Sequence, residues 1–158
     1  MTVQERMTLE VIERGIVLRR AFNASADLVF DATTEPNHVR NWWGPRGTVL
    51  SVCEIDPRVG GRWRYVMLGP DGEEIGFSGE YLEIERPSKI VHTEVFEPMP
   101  GEPAVVTVTF AERAGRTLVT STSLYPSNEI RDIVIGTGME AGAAESFDRL
   151  AELVESMG

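Results

Sequence analysis

The stretch DPRVGGRWRYVMLGPDGEEIGFSGEYLEIE, residues 56–85, decides the fold of this chain. It begins with a turn at Pro57–Gly61, continues as the alternating run Arg62–Leu68, and turns again at Gly69–Gly72. Pro, Gly and Asp are typical of tight turns, and a period of two is typical of a β-strand. The stretch therefore predicts two antiparallel strands, Arg62–Leu68 and Ile75–Glu85, joined by a hairpin.

Further runs of β-branched and aromatic residues lie on both sides of this hairpin, each bounded by turn residues. They are Thr48–Ile55, Lys89–Glu97, Val105–Arg113 and Thr117–Leu124. Strands that follow one another through short connections are antiparallel. Together with a first strand over Glu13–Phe22, they predict a seven-stranded antiparallel sheet.

Two short helices are expected between the first and second strands. Ser25 is a typical helix N-cap, and Pro36 is of the type preferred at the first position of a helix. Val39, Trp42 and Trp43 then fall on one face of the second helix.

A long helix is expected over Asn128–Met157, with Ser127 or Asn128 as its cap. Phe147 and Leu150 are expected to be deeply buried, and Glu145 and Arg149 to pair on the outer side. Glycines near the start of the helix weaken it, and they suggest either a kink or a close approach of the helix to another part of the protein. Its apolar residues form one stripe, with steps of three and four: Met139, Ala143, Phe147, Leu150, Val154 and Met157.

This order of elements predicts an α+β fold in which a seven-stranded curved antiparallel sheet grips the long C-terminal helix. Residues 1–158 are expected to form a single domain, with residues 1–10 frayed. Because a strongly curled sheet with one helix across its mouth does not close completely, the fold itself predicts an internal cavity.

Charge and composition exclude several classes of function. The net charge of −10, with 15 scattered basic residues, argues against partners such as nucleic acid or an anionic membrane. Residues 1–14 show no apolar core of the length typical of a signal peptide, and no stretch approaches the length of a membrane span. The single cysteine, Cys53, allows no intramolecular disulfide and reads as a small buried hydrophobe. We expect a cytoplasmic protein.

His92 and Glu94 are the candidate chemical groups, because residues two apart on a strand point to the same face. If that face is the cavity, they form an acid/base pair or a polar anchor for a ligand. The alternative places Val91, Thr93 and Val95 inside, and this β-branched set makes the better core. Both interpretations stay open at the level of sequence.

Aromatic residues are the candidate cavity lining. Trp63 and Tyr65 alternate with arginines, so their rings are expected inside, either against a ligand or as plain core. Trp42 and Trp43 precede Gly44-Pro45, and they either anchor the second helix or form a lid over the cavity.

No metal or cofactor is expected. The two histidines, His38 and His92, and the lone cysteine show no ligand spacing. The sequence also has no nucleophile elbow, dinucleotide fingerprint or phosphate loop, although the spatial assembly of a catalytic triad stays open.

The chain resembles the START-like (helix-grip, SRPBCC) superfamily, in the branch named for the activator of heat-shock-protein ATPase. The resemblance runs from about Glu13 to Met157, and it implies this fold. Members of the superfamily are implied to be binders of lipids or polyketides, cyclases, hydrolases or co-chaperones. The matching pieces are Trp42-Trp43-Gly44-Pro45, Asp56–Trp63, Pro70-Asp71-Gly72, Phe77–Tyr81, Pro87, Ile90-Val91, Val106–Phe110, Gly115, Thr117, Gly138–Gly142 and Asp148-Arg149-Leu150.

Two positions depart from the pattern of the family. Members often carry tryptophan where this chain has Glu94, and another where it has Ala143. If both face the cavity, the resemblance implies a pocket that is larger and more polar than usual.

The function that these observations favour is binding of a small hydrophobic molecule between the sheet and the helix. Alternatives are an enzyme, cyclase-like or hydrolase-like, acting on a hydrophobic substrate in the same cavity, and a co-chaperone-like interaction module. A homodimer and a contact with a chaperone stay open as partnerships. The predicted ligand-binding residues are Trp42, Trp43, Trp63, Tyr65, Phe77, His92, Glu94, Met139 and Ala143.

Overall fold

The computed structural model describes residues 6–157 and shows a curved antiparallel sheet with four helices. The sheet has eight strands in the order β1-β2-β8-β7-β6-β5-β4-β3. The strands are β1 Thr8–Ile12, β2 Gly15–Phe22, β3 Val49–Ile55, β4 Arg62–Leu68, β5 Glu74–Glu85, β6 Lys89–Phe96, β7 Ala104–Arg113 and β8 Arg116–Leu124. The helices are α1 Ala26–Thr34, α2 Pro36–Val39, α3 Asn128–Gly136 and α4 Met139–Met157.

The topology confirms the predicted α+β class and antiparallel pairing. Strands β3 to β8 follow one another through hairpins, while α1 and α2 carry the chain from β2 to the far edge at β3. The last strand, β8, then pairs with β2, so that two strands far apart in sequence are neighbours in the sheet.

The sheet has one strand more than the seven predicted, because β1 lies partly within residues 1–10, which were expected to be frayed. Thr8–Ile12 pairs with β2 in a hairpin that turns through Glu13 and Arg14. Arg14, the second residue of this turn, has a φ of 55°, a left-handed conformation that residues other than glycine adopt uncommonly. Since no Gly or Asn marks this turn, the local sequence gave no signal for it. The predicted fraying of residues 1–5 lies outside the described residues.

The register of the strands defines the concave face of the sheet. Leu18 of β2 pairs with Ser121 of β8, which pairs with Val108 of β7. Two residues further along β7 and β8, Val106 pairs with Ser123, and Val106 also pairs with His92 of β6. These residues belong to one face because they share parity along their strands.

The single long helix that the sequence predicted is broken in two. Thr137 and Gly138 separate α3 from α4, and Gly138 has a φ of 82°, which glycine adopts without strain. The N-cap is Ser127, whose hydroxyl accepts the backbone N–H of Ile130 at 3.1 Å.

The core face of α4 is shorter than its apolar stripe. Leu150 and Val154 are fully buried, with 1% and 0% of their surface exposed, and they join the main core with Phe22. Phe147 is only partly buried, contrary to the prediction of deep burial, because it borders a cavity while its ring contacts the edge of Phe22. Cys53 is buried, as predicted.

No helix within residues 6–157 combines the length and the low polarity that crossing a bilayer would require.

The difference in burial predicts unequal contributions to stability. Replacing Leu150 by alanine should lower the free energy of unfolding by about 2–5 kcal/mol, because it opens a void in the packed core. Phe147→Ala should lower it by less, since the lost ring contacts lie on one side only. Urea titration of both variants checks this order, and a larger loss for Phe147→Ala would contradict it.

Candidate functional site

A cavity of about 370 Å³ lies between the concave face of the sheet, helix α4 and the loop that follows α2. Its wall is largely apolar and aromatic. Polar side chains come from two strands on either side of β7: His92 and Glu94 of β6, Ser121 and Ser123 of β8, and Tyr125 just after β8. The cavity therefore has an apolar body with a polar region on the sheet.

All nine residues predicted at the site belong to the cavity wall. They are Trp42, Trp43, Trp63, Tyr65, Phe77, His92, Glu94, Met139 and Ala143. Their shared position is a structural fact, whereas their role in binding stays a prediction.

Sequence reasoning missed several wall residues that the structure adds. Tyr81 could have been found, because it lies four residues after Phe77 on the same strand and so shares its face. Ser121 and Ser123 could not, because the run Thr120–Ser123 is polar on both faces and its parity carries no signal. Ser146 looked like an ordinary polar residue of a helix.

The orientation of β6 decides between the two interpretations that the sequence left open. His92 and Glu94 face the cavity, and His92 continues a row across the sheet from Tyr81 to Val106. The alternative, with Val91 and Val95 in the core, was the better fit to local hydrophobicity but is wrong. Both polar side chains keep some accessible surface because they face a void, although protein surrounds them.

His92 is held as a neutral imidazole. Its Nδ1 lies 2.9 Å from the carbonyl oxygen of Thr93, which can only accept, so Nδ1 carries the proton. Burial lowers the pKa of His92 below its ordinary 6.5, although the bond to Thr93 opposes this effect. At neutral pH, Nε2 therefore has a free lone pair.

Glu94 is an acid in an apolar environment. Burial raises the pKa of its carboxyl group from 4.5 to about 7, and no other group among the described residues shifts it. Burial raises the pKa of Tyr65 and Tyr125 as well, the latter to about 12, and the charge of Glu94 adds to both shifts. Glu94 is thus close enough to both phenols to affect their ionisation.

Aromatic rings pack edge to face around the wall. The Trp43 ring lies 5.1 Å from Tyr65 and 4.9 Å from Phe77, between centroids. Trp63 packs against His92 at 5.3 Å, and its indole nitrogen passes over Gly79, where a Cβ would lie 2.6 Å from it. Glycine at position 79 therefore makes room for the indole.

Trp42 and Trp43 belong to a loop that is tied firmly to α4. The Trp42 indole donates to the carbonyl of Ala32 at 2.8 Å, which supports its predicted role as an anchor. Arg149 donates to the carbonyls of Gly44, Pro45 and Asn41 at 2.8–3.2 Å.

The predicted Arg149–Glu145 pair is not formed. Arg149 turns instead to the carbonyls of the loop. The Glu145 carboxylate accepts the backbone N–H of Arg46 at 2.9 Å. Ser146 completes the tie, since its hydroxyl accepts from the Gly44 N–H at 2.9 Å and donates to the Trp42 carbonyl at 3.2 Å.

A family model matches most of the chain. The model of Activator of Hsp90 ATPase homolog 1-like proteins covers residues 23–155, from just after β2 to near the end of α4. The chain belongs to this family. The resemblance to the START-like superfamily that the sequence indicated is thereby confirmed.

Solved structures of bacterial proteins share this family fold. A protein of Rhodobacter sphaeroides superposes with a TM-score of 0.88 at 24% identity, covering 96% of this chain and 99% of that one. A Mycobacterium smegmatis protein gives 0.85 at 24% identity, covering 94% and 96%. A Chromobacterium violaceum protein gives 0.78 at 28% identity, covering 89% and 97%. No curated protein matches the chain.

The burial of Glu94 predicts that stability falls as the pH rises. Its pKa is higher in the folded state than in the unfolded state, so the folded protein holds this proton more tightly and loses stability between about pH 4.5 and pH 7. At about 1.4 kcal/mol per pH unit, the loss amounts to at most about 3.5 kcal/mol. Glu94→Gln should abolish it, as measured by urea titration at pH 5 and pH 8.

The matched control is Glu102→Gln, which removes the same charge from an exposed position. It should retain the fall in stability. His92 acts with the opposite sign, because its lowered pKa costs stability as the pH falls below 6.5, and it does so equally in all three proteins. An unchanged pH dependence in Glu94→Gln would contradict the burial of this carboxyl group.

Proposed function

We propose that this protein binds a small apolar molecule in the cavity between the sheet and α4. The observation that carries the proposal is the size and lining of that cavity. Its volume of about 370 Å³ falls in the range of small-molecule sites, and its wall is mostly aromatic and aliphatic with a few polar groups.

The lining of the cavity supports this function. The rings of Trp63, Tyr65 and Phe77 border a partly open space of about 370 Å³. Binding of an apolar molecule there would remove its surface and the surface of these rings from water, which is favourable.

The small side chains on the cavity face of α4 also support the proposed binding function. Gly142, Ala143 and Ser146 line the cavity from the helix, opposite large rings on the sheet. Because these side chains are small, they leave the space between the helix and the sheet unfilled. The family's implied binding of hydrophobic molecules agrees with this arrangement.

Catalysis on a hydrophobic substrate in the same cavity is the second candidate. It is favoured by one observation, the neutral imidazole of His92 two residues from a carboxyl group whose pKa is about 7. A group that titrates near neutral pH can both donate and accept a proton during a reaction. Turnover that is lost in both His92→Ala and Glu94→Gln would support an enzyme rather than a binder.

The remaining expectations stay predictions. The activation of a heat-shock-protein ATPase belongs to the protein for which the family is named. A chaperone contact, a homodimer and a cytoplasmic location are predictions for this chain.

Filling the cavity from the helix tests the proposed function. Ala143→Trp should fold and retain most of its stability, because the new ring enters existing space, and it should lose binding of the neutral probe N-phenyl-1-naphthylamine. If Ala143 were tightly packed, the same change would typically cost about 1–3 kcal/mol. Probe fluorescence and urea titration together measure both effects.

Ala141→Trp is the matched control, since this alanine lies on the same helix but is exposed. It should bind the probe like the parent protein. Binding that persists in Ala143→Trp, or that is absent from the parent protein, would contradict the proposed function. If the parent protein binds the probe and Ala143→Trp does not, native mass spectrometry of the protein from its own host would identify the natural ligand.

A further inference from the structure

The carboxylate of Glu94 faces the cavity without a counter-ion. Neither Lys nor Arg occurs among the residues of the wall, and the shift in the pKa of Glu94 has burial as its only cause within residues 6–157. A buried carboxylate is costly unless a positive charge or hydrogen-bond donors accompany it. The one buried arginine on the concave face, Arg20, is already engaged, since it lies 3.1 Å from Asp148.

The groups around Glu94 do not supply the missing charge. His92, on the same strand, is neutral and has a lone pair on Nε2, because Nδ1 donates to the backbone. Tyr65 from β4 and Tyr81 from β5 have raised pKa values, as has Tyr125 after β8, so all three phenols are uncharged at neutral pH. Helix α4 contributes no charged side chain to the wall.

Aromatic faces occupy much of the remaining surface. Trp43, Trp63, Tyr65 and Phe77 belong to the wall. Trp43 packs edge to face with Tyr65 and Phe77, and Trp63 packs against Tyr65 at a tilt of 45°. The faces of such rings carry partial negative charge and attract organic cations, most strongly where water is excluded. Carboxylate, imidazole lone pair and ring faces therefore favour the same sign of charge in an occupant.

We propose that the cavity selects apolar molecules that carry a basic amine, with the ammonium group paired to the Glu94 carboxylate and the apolar body among the aromatic rings. This inference rests on the proposed binding function and narrows it to one class of ligand. An ammonium group donates hydrogen bonds and brings the charge that the wall lacks. A ligand carboxylate would instead face Glu94 across an apolar space and be repelled.

Three probes of nearly equal shape test the selection: 1-naphthylmethylamine, 1-naphthalenemethanol and 1-naphthoic acid. Their affinities for the parent protein are measured at pH 8 by displacement of N-phenyl-1-naphthylamine and by titration calorimetry. The amine should bind at least roughly tenfold more tightly than the alcohol, as expected for a charge-assisted bond in place of a neutral one. The acid should bind most weakly.

The pH dependence gives a second readout from the parent protein. Because the amine is charged between pH 6 and pH 8 while Glu94 titrates near 7, the affinity for the amine should rise by roughly tenfold over this range. The affinity for the alcohol should not rise.

Glu94→Gln should lower the ratio of amine to alcohol affinity to roughly one and remove its pH dependence. Glu102→Gln, which removes an exposed carboxylate, should keep both. If Glu94→Gln fails to fold, the three probes and the two pH values still test the proposal on the parent protein.

The outcomes separate this inference from the proposed function. Probe binding without preference for the amine, or a preference that survives in Glu94→Gln, would overturn the inference and leave the binding function intact. Tighter binding of 1-naphthoic acid than of 1-naphthylmethylamine would also overturn the inference and leave the binding function intact. If neither the fluorescent probe nor any of the three compounds binds, both proposals fail.

Discussion

The cavity depends on the tie between helix α4 and the loop that carries Trp42 and Trp43. One guanidinium, that of Arg149, donates to three backbone carbonyls of this loop, and the Ser146 hydroxyl adds two further bonds. Backbone groups that would otherwise need water are satisfied in this way. The tie positions α4 across the curled sheet, and it places the aromatic loop beside the cavity.

Once α4 is positioned, the volume that remains is set by side-chain size. Leu150 and Val154 fill the space toward the C-terminal end of the helix, where they join the core. Toward the other end, Gly142 approaches Pro45, with its backbone in place of a side chain, and Ala143 adds a single methyl group. The same helix thus closes one end of the concave face and leaves the other open.

The polar character of the cavity arises from the pairing of distant strands. His92 and Glu94 lie two residues apart on β6, but Tyr65 and Tyr125 approach them from β4 and from just after β8. The apolar surroundings that raise the pKa of Glu94 exist only because distant segments of the chain converge. Function in this fold therefore depends on which few side chains interrupt an otherwise apolar wall.

The sequence by itself determined the strands, the caps and the fold class, because those depend on local periodicity and turn chemistry. Six strands after the first short helices were predicted to within a residue of their observed ends, and Ser25 and Ser127 cap the helices that their positions indicated. The hairpin at Arg14 was missed because its turn lacks glycine. Only the tertiary structure decided that Glu94 faces inward, that Phe147 borders a void and that Arg149 bonds to a loop. Each of these depends on contacts between segments far apart in the chain, and local patterns do not record such contacts.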